Sequence, residues 1–201
     1  MNADMAILGG SFDPVHNGHL HLLKCVLTMT DFSTVVLVPA NQSNFKQTAV
    51  ACATAEQRLD MLNLAIGDFA DAYPNLLQQK KLIIDDIEIK KGGVSYTIDT
   101  VKAIIGKYGI PASRRMGLII GDDHLPRLAE WEGFEELKKL VVFLVFQRFG
   151  ITSPVPEGTQ CIFIDNPIFQ GSSTEIRNGE REEELLPPRV EEYVREHALY
   201  R

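Results

Sequence analysis

Residues 5–20 constrain this chain more than any other stretch. Met5, Ala6, Ile7 and Leu8 form an apolar run of the kind buried in a parallel strand. The run breaks on Gly9 and Gly10, and after Asn17 the apolar positions Leu20, Leu23, Val26 and Leu27 fall on one face of a helix. Strand, glycine loop and helix start, in that order, open a parallel α/β unit. The loop also carries chemistry. Glycine lets backbone approach a ligand closely, and a helix start offers unbonded N–H groups and a positive dipole end to an anion. His16 and His19, three apart, project to the same side of a first helical turn, where that anion would lie. From the loop alone two readings stay open: a phosphate site with two imidazole donors, or a Gly-Pro-rich turn with surface histidines. The lysine phosphate loop and the dinucleotide glycine fingerprint are both absent. A zinc site on His16, His19 and His21 is disfavoured, because His19 and His21 point to different sides of a helix.

A chain of 201 residues with 45% hydrophobic content suits one domain with a substantial core. The net charge of −7 argues against an extended nucleic-acid surface and leaves room for a local phosphate pocket. Cys25, Cys52 and Cys161 are far apart and odd in number, which fits buried free thiols in a reducing cytosol better than a disulfide framework. The sequence enters its first strand without a basic-then-apolar leader, and no apolar run approaches membrane-spanning length. The expectation is a soluble cytoplasmic protein, with neither nucleic acid nor membrane as partner and with a homo-oligomer left open.

Residues 34–38, ended by Pro39, read as the second strand. The polar stretch 40–48 is then a loop at the carboxyl end of that strand, the edge where open α/β sheets bind ligands. Lys46 is its only cation, and a solvated surface charge is the plain alternative for it. Thr54 and Gln57 form a capping box before a helix. Residues 82–89 read as another strand, its later half alternating, and Gly92-Gly93 break it. Ser95-Tyr96-Thr97 leads into a helix, with Ser95 or Thr97 as an ordinary N-cap. Residues 117–121 form a compact strand that ends in Asp122, Asp123 and His124. Acidic residues there suit ribose hydroxyls or a hydrated Mg²⁺, or simply cap the next helix. Trp131, the only tryptophan, sits between Glu130 and Glu132, which suggests partial exposure. Residues 140–146 and 161–164 complete the strands. Strands alternating with helices give the fold class: α/β, a Rossmann-like open parallel sheet with helices on both faces.

A second chemical stretch lies at Gln170 to Arg177. Ser172 and Glu175 match a capping box, and the same helix start exposes hydroxyls and N–H groups with Arg177 one turn on. That arrangement suits phosphate oxygens, which arginine binds bidentately. Residues 180–184 are a solvated charged run. Pro187-Pro188 then start an amphipathic helix with Val190, Tyr193, Val194 and Leu199 as its buried stripe. The helices from about residue 172 are expected to pack on the same sheet, within a single domain over 1–201.

Gly9 to His19 is similar to the Gly-x-Phe-Asp-Pro-x-His-x-Gly-His signature of the nucleotidyltransferase superfamily. With Ser95-Tyr96-Thr97, Gly121-Asp122-Asp123, Trp131, Ser172 to Arg177 and the ending from Val190 to Tyr200, the chain resembles the bacterial nicotinate-nucleotide adenylyltransferases nearly end to end. One departure is visible: where that family usually has a Pro-Pro-His-Lys-like segment, this chain has Ser43-Asn44-Phe45-Lys46. The resemblance implies transfer of an adenylyl group from ATP to nicotinate mononucleotide, with Mg²⁺ bound mainly through ATP phosphates. It implies catalytic roles for His16, His19, Lys46 and Arg177. It implies ATP contacts from Gly9, Gly10, Ser11, Phe12, Gly121, Asp123, Ser172, Ser173 and Thr174, besides those four. It implies mononucleotide contacts from Ser11, Tyr96, Thr97, Asp123 and Trp131, and no protein ligand for a metal. Related readings are a pantetheine-phosphate adenylyltransferase or a cytidylyltransferase, a nucleotide sensor on the same scaffold, and a metal hydrolase built on Asp122, Asp123 and His124.

Overall fold

The structure, a computed structural model, describes residues 5–43, 52–150 and 153–201. Its first half runs β1 (Met5–Gly10), α1 (Asn17–Met29), β2 (Thr34–Pro39), β3 (Gln42–Ser43), α2 (Ala55–Ala72), α3 (Pro74–Leu77), β4 (Lys81–Ile84), α4 (Ile87–Lys91) and β5 (Val94–Ser95). The second half runs α5 (Thr97–Tyr108), β6 (Met116–Gly121), a 3-10 segment (Asp122–Glu130), α6 (Phe134–Leu140), β7 (Val141–Phe146), β8 (Cys161–Ile164), α7 (Ser173–Arg177), α8 (Glu182–Leu185) and α9 (Pro188–Glu196).

Six strands form one parallel sheet in the order β4-β2-β1-β6-β7-β8, and β3 pairs with β5 in a small parallel pair beside it. The central strands are continuous apolar runs because both faces are covered, as parallel sheets require. Alternation divides their side chains between two cores. Ala6, Leu8, Val35, Leu37 and Ile119 pack with Leu23 and Val26 of α1, Met61 and Phe69 of α2, and Val190 and Val194 of α9. Ile7, Val36, Leu118, Ile120 and Phe143 pack on the other face with Val101 and Ile104 of α5 and Phe134 and Leu137 of α6. This is the Rossmann-like fold that the alternating pattern implies. From β1 the sheet grows outward through β2 and β4 on one side and through β6, β7 and β8 on the other. The reversal between β1 and β6 leaves a crevice at their carboxyl ends, which is where such sheets hold ligands.

Three sequence expectations change. Residues 82–89 are not one strand: β4 ends at Ile84 and the chain turns into α4. Asp85 makes that turn, with Oδ1 accepting the Ile87 N–H while Oδ2 takes Lys107 Nζ at 2.7 Å and Tyr108 Oη at 2.9 Å. The apparent alternation was the first turn of a short helix. The cap of α5 is Tyr96, without a side-chain bond to the helix, rather than Ser95 or Thr97. All three cysteines are free, but only Cys25 is buried; Cys52 is exposed and Cys161 intermediate.

Candidate active site

The first helix starts on imidazoles. His16, in extended conformation, is the N-cap of α1, and its Nδ1 accepts the Gly18 N–H at 3.1 Å. His19 Nδ1 accepts the His16 N–H, also at 3.1 Å, so the two rings form a capping box normally built from a hydroxyl and a carboxylate. Each Nδ1 serves as acceptor, which places the ring proton on Nε2 and makes that atom a donor. The ring centroids lie 3.9 Å apart. Burial, with a smaller effect from the Arg148 guanidinium, lowers the His16 pKa to about 3, so its ring is neutral at physiological pH. Gly18 has to be glycine: a Cβ there would sit 2.7 Å from Phe169 and 2.8 Å from the His16 ring.

The loop between Gly10 and His16 is held from three directions. Arg58 of α2, buried to 2% exposure, donates through Nη1 to the carbonyls of Ser11 and Ala40, each at 2.7 Å, and so ties the ends of β1 and β2 together. Arg177 Nη1 donates to the Asp13 carbonyl at 2.6 Å, and Ser173 Oγ to the Pro14 carbonyl at 2.9 Å. Asp13 itself accepts the N–H groups of Cys52 and Ala53 and the hydroxyl of Tyr200. Ser172 caps α7 by accepting the Glu175 N–H, but its hydroxyl donates to Glu175 Oε2, so only half of the expected capping box forms.

Across the crevice, Asp122 turns into the fold, where its carboxylate accepts the N–H groups of Arg148 and Phe149. It fixes the backbone after β7 and makes no side-chain cap bond to the 3-10 segment. Asp123 is different. Its Oδ1 is buried with no hydrogen-bond partner among the described residues, while Oδ2 lies 3.9 Å from Arg148 Nη1. Trp131 meets the His124 ring edge-on at a centroid distance of 5.5 Å. Burial lowers the His124 pKa, with Asp123 opposing and Arg148 reinforcing the shift.

A cavity of about 340 Å³ opens between these groups. Gly9, Gly10, Ser11, His16 and His19 line it from the first loop, and Ser172, Ser173 and Thr174 from the start of α7. Thr97, Gly121 and Trp131 line it from the sheet's other half. The histidine loop and the late serine–threonine helix therefore share one cavity. Four expected residues stand elsewhere. Phe12 is buried at φ 48 beneath the His19 ring, 5.0 Å between centroids. Tyr96 is 38% exposed and is not in the cavity wall, although its neighbours Ser95 and Thr97 are. Arg177 and Asp123 are not in the wall but touch residues that are: Arg177 Nη2 donates to Thr174 Oγ1 at 3.0 Å, and Asp123 Oδ2 lies 3.9 Å from Arg148 Nη1. Lys46 and Phe45 lie outside the described residues.

A family model described as cytidylyltransferase-like matches residues 7–179. A protein of Halalkalibacterium halodurans named "Probable nicotinate-nucleotide adenylyltransferase" is 33% identical over 201 residues, covering 98% of this chain and 91% of that one. One of Borrelia garinii with the same name is 31% identical over 200 residues, covering 98% and 94%. The chain belongs to the nicotinate-nucleotide adenylyltransferase family. The solved nicotinic acid mononucleotide adenylyltransferase of Plasmodium falciparum, complexed with NaAD, shares the fold at a TM-score of 0.75 over 99% of this chain and 98% of that one, with 17% identity.

The cavity also has residues that the sequence motifs did not single out. Arg148 and Asn166 line the wall after β7 and β8, and Glu88 and Thr100 line it from α4 and α5. Arg148 lies two residues past the end of a predicted strand, the one signal that could have marked it. Glu88 and Thr100 carried none, because the strand expected over 82–89 put Glu88 on the wrong element.

Proposed function

We propose that the chain transfers the adenylyl group of ATP to nicotinate mononucleotide, releasing pyrophosphate and forming nicotinate adenine dinucleotide. The observation that carries this is the imidazole pair, with both Nδ1 atoms tied to backbone and both rings on the cavity that Ser172, Ser173 and Thr174 also line. The 5′-phosphate oxygen of the mononucleotide forms a bond to the α-phosphorus of ATP as the bond from that phosphorus to the β-bridging oxygen breaks, and the electron pair leaves with pyrophosphate. A phosphate monoester is already ionised at neutral pH, so no general base is needed. His16 stays neutral and acts as a donor.

Catalysis is then positioning and charge stabilisation, and alignment of two bound reactants supplies on the order of 7–11 kcal/mol. His16 and His19 donate through Nε2 to ATP phosphates, with His19 at the oxygen where charge develops. N–H groups of Gly9, Gly10 and Ser11 hold the phosphates, and the α7 hydroxyls and Arg177 take the far end of the triphosphate, with Lys46. The buried, unbonded Oδ1 of Asp123 suits a ribose hydroxyl donor. Thr97 and nearby amides receive the nicotinate carboxylate, and Trp131 stacks on the ring. A carboxamide would turn donors toward those same amides, which favours the acid over the amide.

The donors facing the phosphate end are N–H and O–H groups, and among the described residues no three His, Cys, Asp or Glu side chains converge to hold a metal. This donor set suits Mg²⁺ carried in on triphosphate oxygens and water, where it would offset charge on the leaving pyrophosphate. No helix among the described residues is long and apolar enough to cross a membrane.

The test is pyrophosphate release from ATP alone, with nicotinate mononucleotide, and with nicotinamide mononucleotide. Release should need a mononucleotide and be fastest with the acid. His19→Ala should cut turnover by about two orders of magnitude or more while the protein stays folded. Release without acceptor would instead indicate a hydrolase, and unchanged turnover in His19→Ala a different centre.

A further inference from the structure

The cavity holds one carboxyl group for which the transfer chemistry has no use. Glu88, on α4, is 9% exposed and lines the same cavity as Thr97 and Trp131. Thr100 Oγ1 donates to its Oε1, while the nearby buried Ser95 hydroxyl makes no hydrogen bond among the described residues. Burial raises its pKa, while these two hydroxyls and Lys91 act in the other direction. The Lys91 ammonium, however, is bonded to Asp99 Oδ2 at 2.9 Å. Among the described residues Glu88 is thus a desolvated carboxyl whose side-chain hydrogen bond comes from a hydroxyl, that of Thr100. A buried carboxylate of that kind is expensive to ionise until a positive charge comes to it.

A nicotinate mononucleotide brings such a charge. Its ring is joined to ribose through nitrogen and is therefore a quaternary pyridinium, positive at every pH. We propose that Glu88 is the counter-charge for this pyridinium, a specificity residue that makes the base subsite select a cationic ring over a neutral one. The indole face of Trp131 attracts a cation as well, so ring and carboxylate would hold the same charge from two directions. In a site shielded from water, attraction between opposite charges is several times stronger than in solvent. This proposal rests on the adenylyl-transfer reading.

The experiment compares nicotinate mononucleotide with its 1,4-dihydro form, whose ring is uncharged, in pyrophosphate release by wild type and Glu88→Gln. Wild type should favour the charged form. Glu88→Gln, which keeps the shape and the acceptor for Thr100, should raise the KM for nicotinate mononucleotide about tenfold, leave the KM for ATP unchanged, and bring the two forms together. Independently of any variant, N-methylnicotinate should inhibit wild type at lower concentration than nicotinate, since both carry the carboxylate and only one carries ring charge. Unchanged preference in Glu88→Gln, an equal loss toward ATP, or equal inhibition by the two small acids would overturn the proposal alone. A wild-type protein that releases no pyrophosphate with either mononucleotide would overturn the transfer reading and this one with it.

Discussion

The hydroxyl of Tyr200 donates to Asp13 Oδ1 at 2.8 Å, joining residues 187 positions apart. The same carboxylate takes the N–H groups of Cys52 and Ala53, just before α2, at 2.8 and 3.1 Å. One buried side chain in the histidine loop therefore fixes both the root of α2 and the turn after α9. Tyr200→Phe removes a hydrogen bond to a charged acceptor, a loss of about 1.5–3 kcal/mol. Urea unfolding should show it near neutral pH. Burial and the Asp13 bond raise the Tyr200 pKa above its ordinary value of 10, so the folded state holds that proton where the unfolded chain releases it. The contribution is therefore complete below pH 10 and declines above it, and the wild-type advantage over Tyr200→Phe should shrink there. Because the loop stays tied by Arg58 and Arg177, turnover should fall several-fold rather than vanish.

His16 gives a pH dependence of its own. In the unfolded chain it binds a proton below about 6.5, whereas burial keeps it neutral in the fold down to about 3. Between those values the unfolded state binds more protons, so stability drops as pH falls, by about 1.4 kcal/mol per pH unit. His16→Asn keeps a side chain able to cap α1 but carries no titrating proton. The stability difference between wild type and His16→Asn, measured by denaturant unfolding at pH 7, 6 and 5, should move against wild type along that slope. A difference independent of pH would mean the imidazole is not shielded.

How much of this was legible in the sequence follows from what each residue touches. Residues 5–8, 34–38 and 117–121 were readable because a strand buried on both faces must be apolar throughout. The cap at Thr54 and Gln57 was readable because both partners lie three residues apart, and both bonds form. The spacing of His16 and His19 was visible for the same reason, although imidazoles seldom fill a capping box. Arg58, Asp122 and Glu88 were not readable in their roles. Arg58 reads as one more charge on an amphipathic helix, and its carbonyl partners at Ser11 and Ala40 lie 47 and 18 residues away. Asp122 sat in the expected motif, but only the return of β7 beside β6 supplies the N–H groups that turn it inward. Residues 85–88 misled because Asp85 ends the strand through bonds to Lys107 and Tyr108, more than 20 residues on.

Gly121 is a steric requirement of Asp123. A Cβ on Gly121 would lie 2.2 Å from Asp123 Oδ1, while the backbone there, at φ −80, accepts any residue. Gly121→Ala should therefore leave the melting temperature nearly unchanged and displace the Asp123 carboxylate. If that carboxylate holds a ribose hydroxyl, the KM for ATP or for the mononucleotide should rise about tenfold, and Asp123→Asn should show the same substrate bias. Gly121→Ala with normal KM values for both substrates would remove Asp123 from the site.

Arg177 is asked to do more than carry charge. Its Nη1 holds the Asp13 carbonyl at 2.6 Å and its Nη2 the Thr174 hydroxyl at 3.0 Å, so one planar group locks the histidine loop to the start of α7. A guanidinium can make both bonds and still present N–H groups to a phosphate, because its donors are spread around a rigid fork. An ammonium can reach one of these oxygens at a time. Arg177→Lys should therefore retain the positive charge and much of the ATP affinity yet lower kcat by about ten- to a hundredfold, since the loop and the helix would no longer be held in register. Arg177→Ala should lose both affinity and turnover. If Arg177→Lys kept the wild-type kcat and only Arg177→Ala failed, the charge alone would matter, and the bridge from Asp13 to Thr174 would be incidental to catalysis.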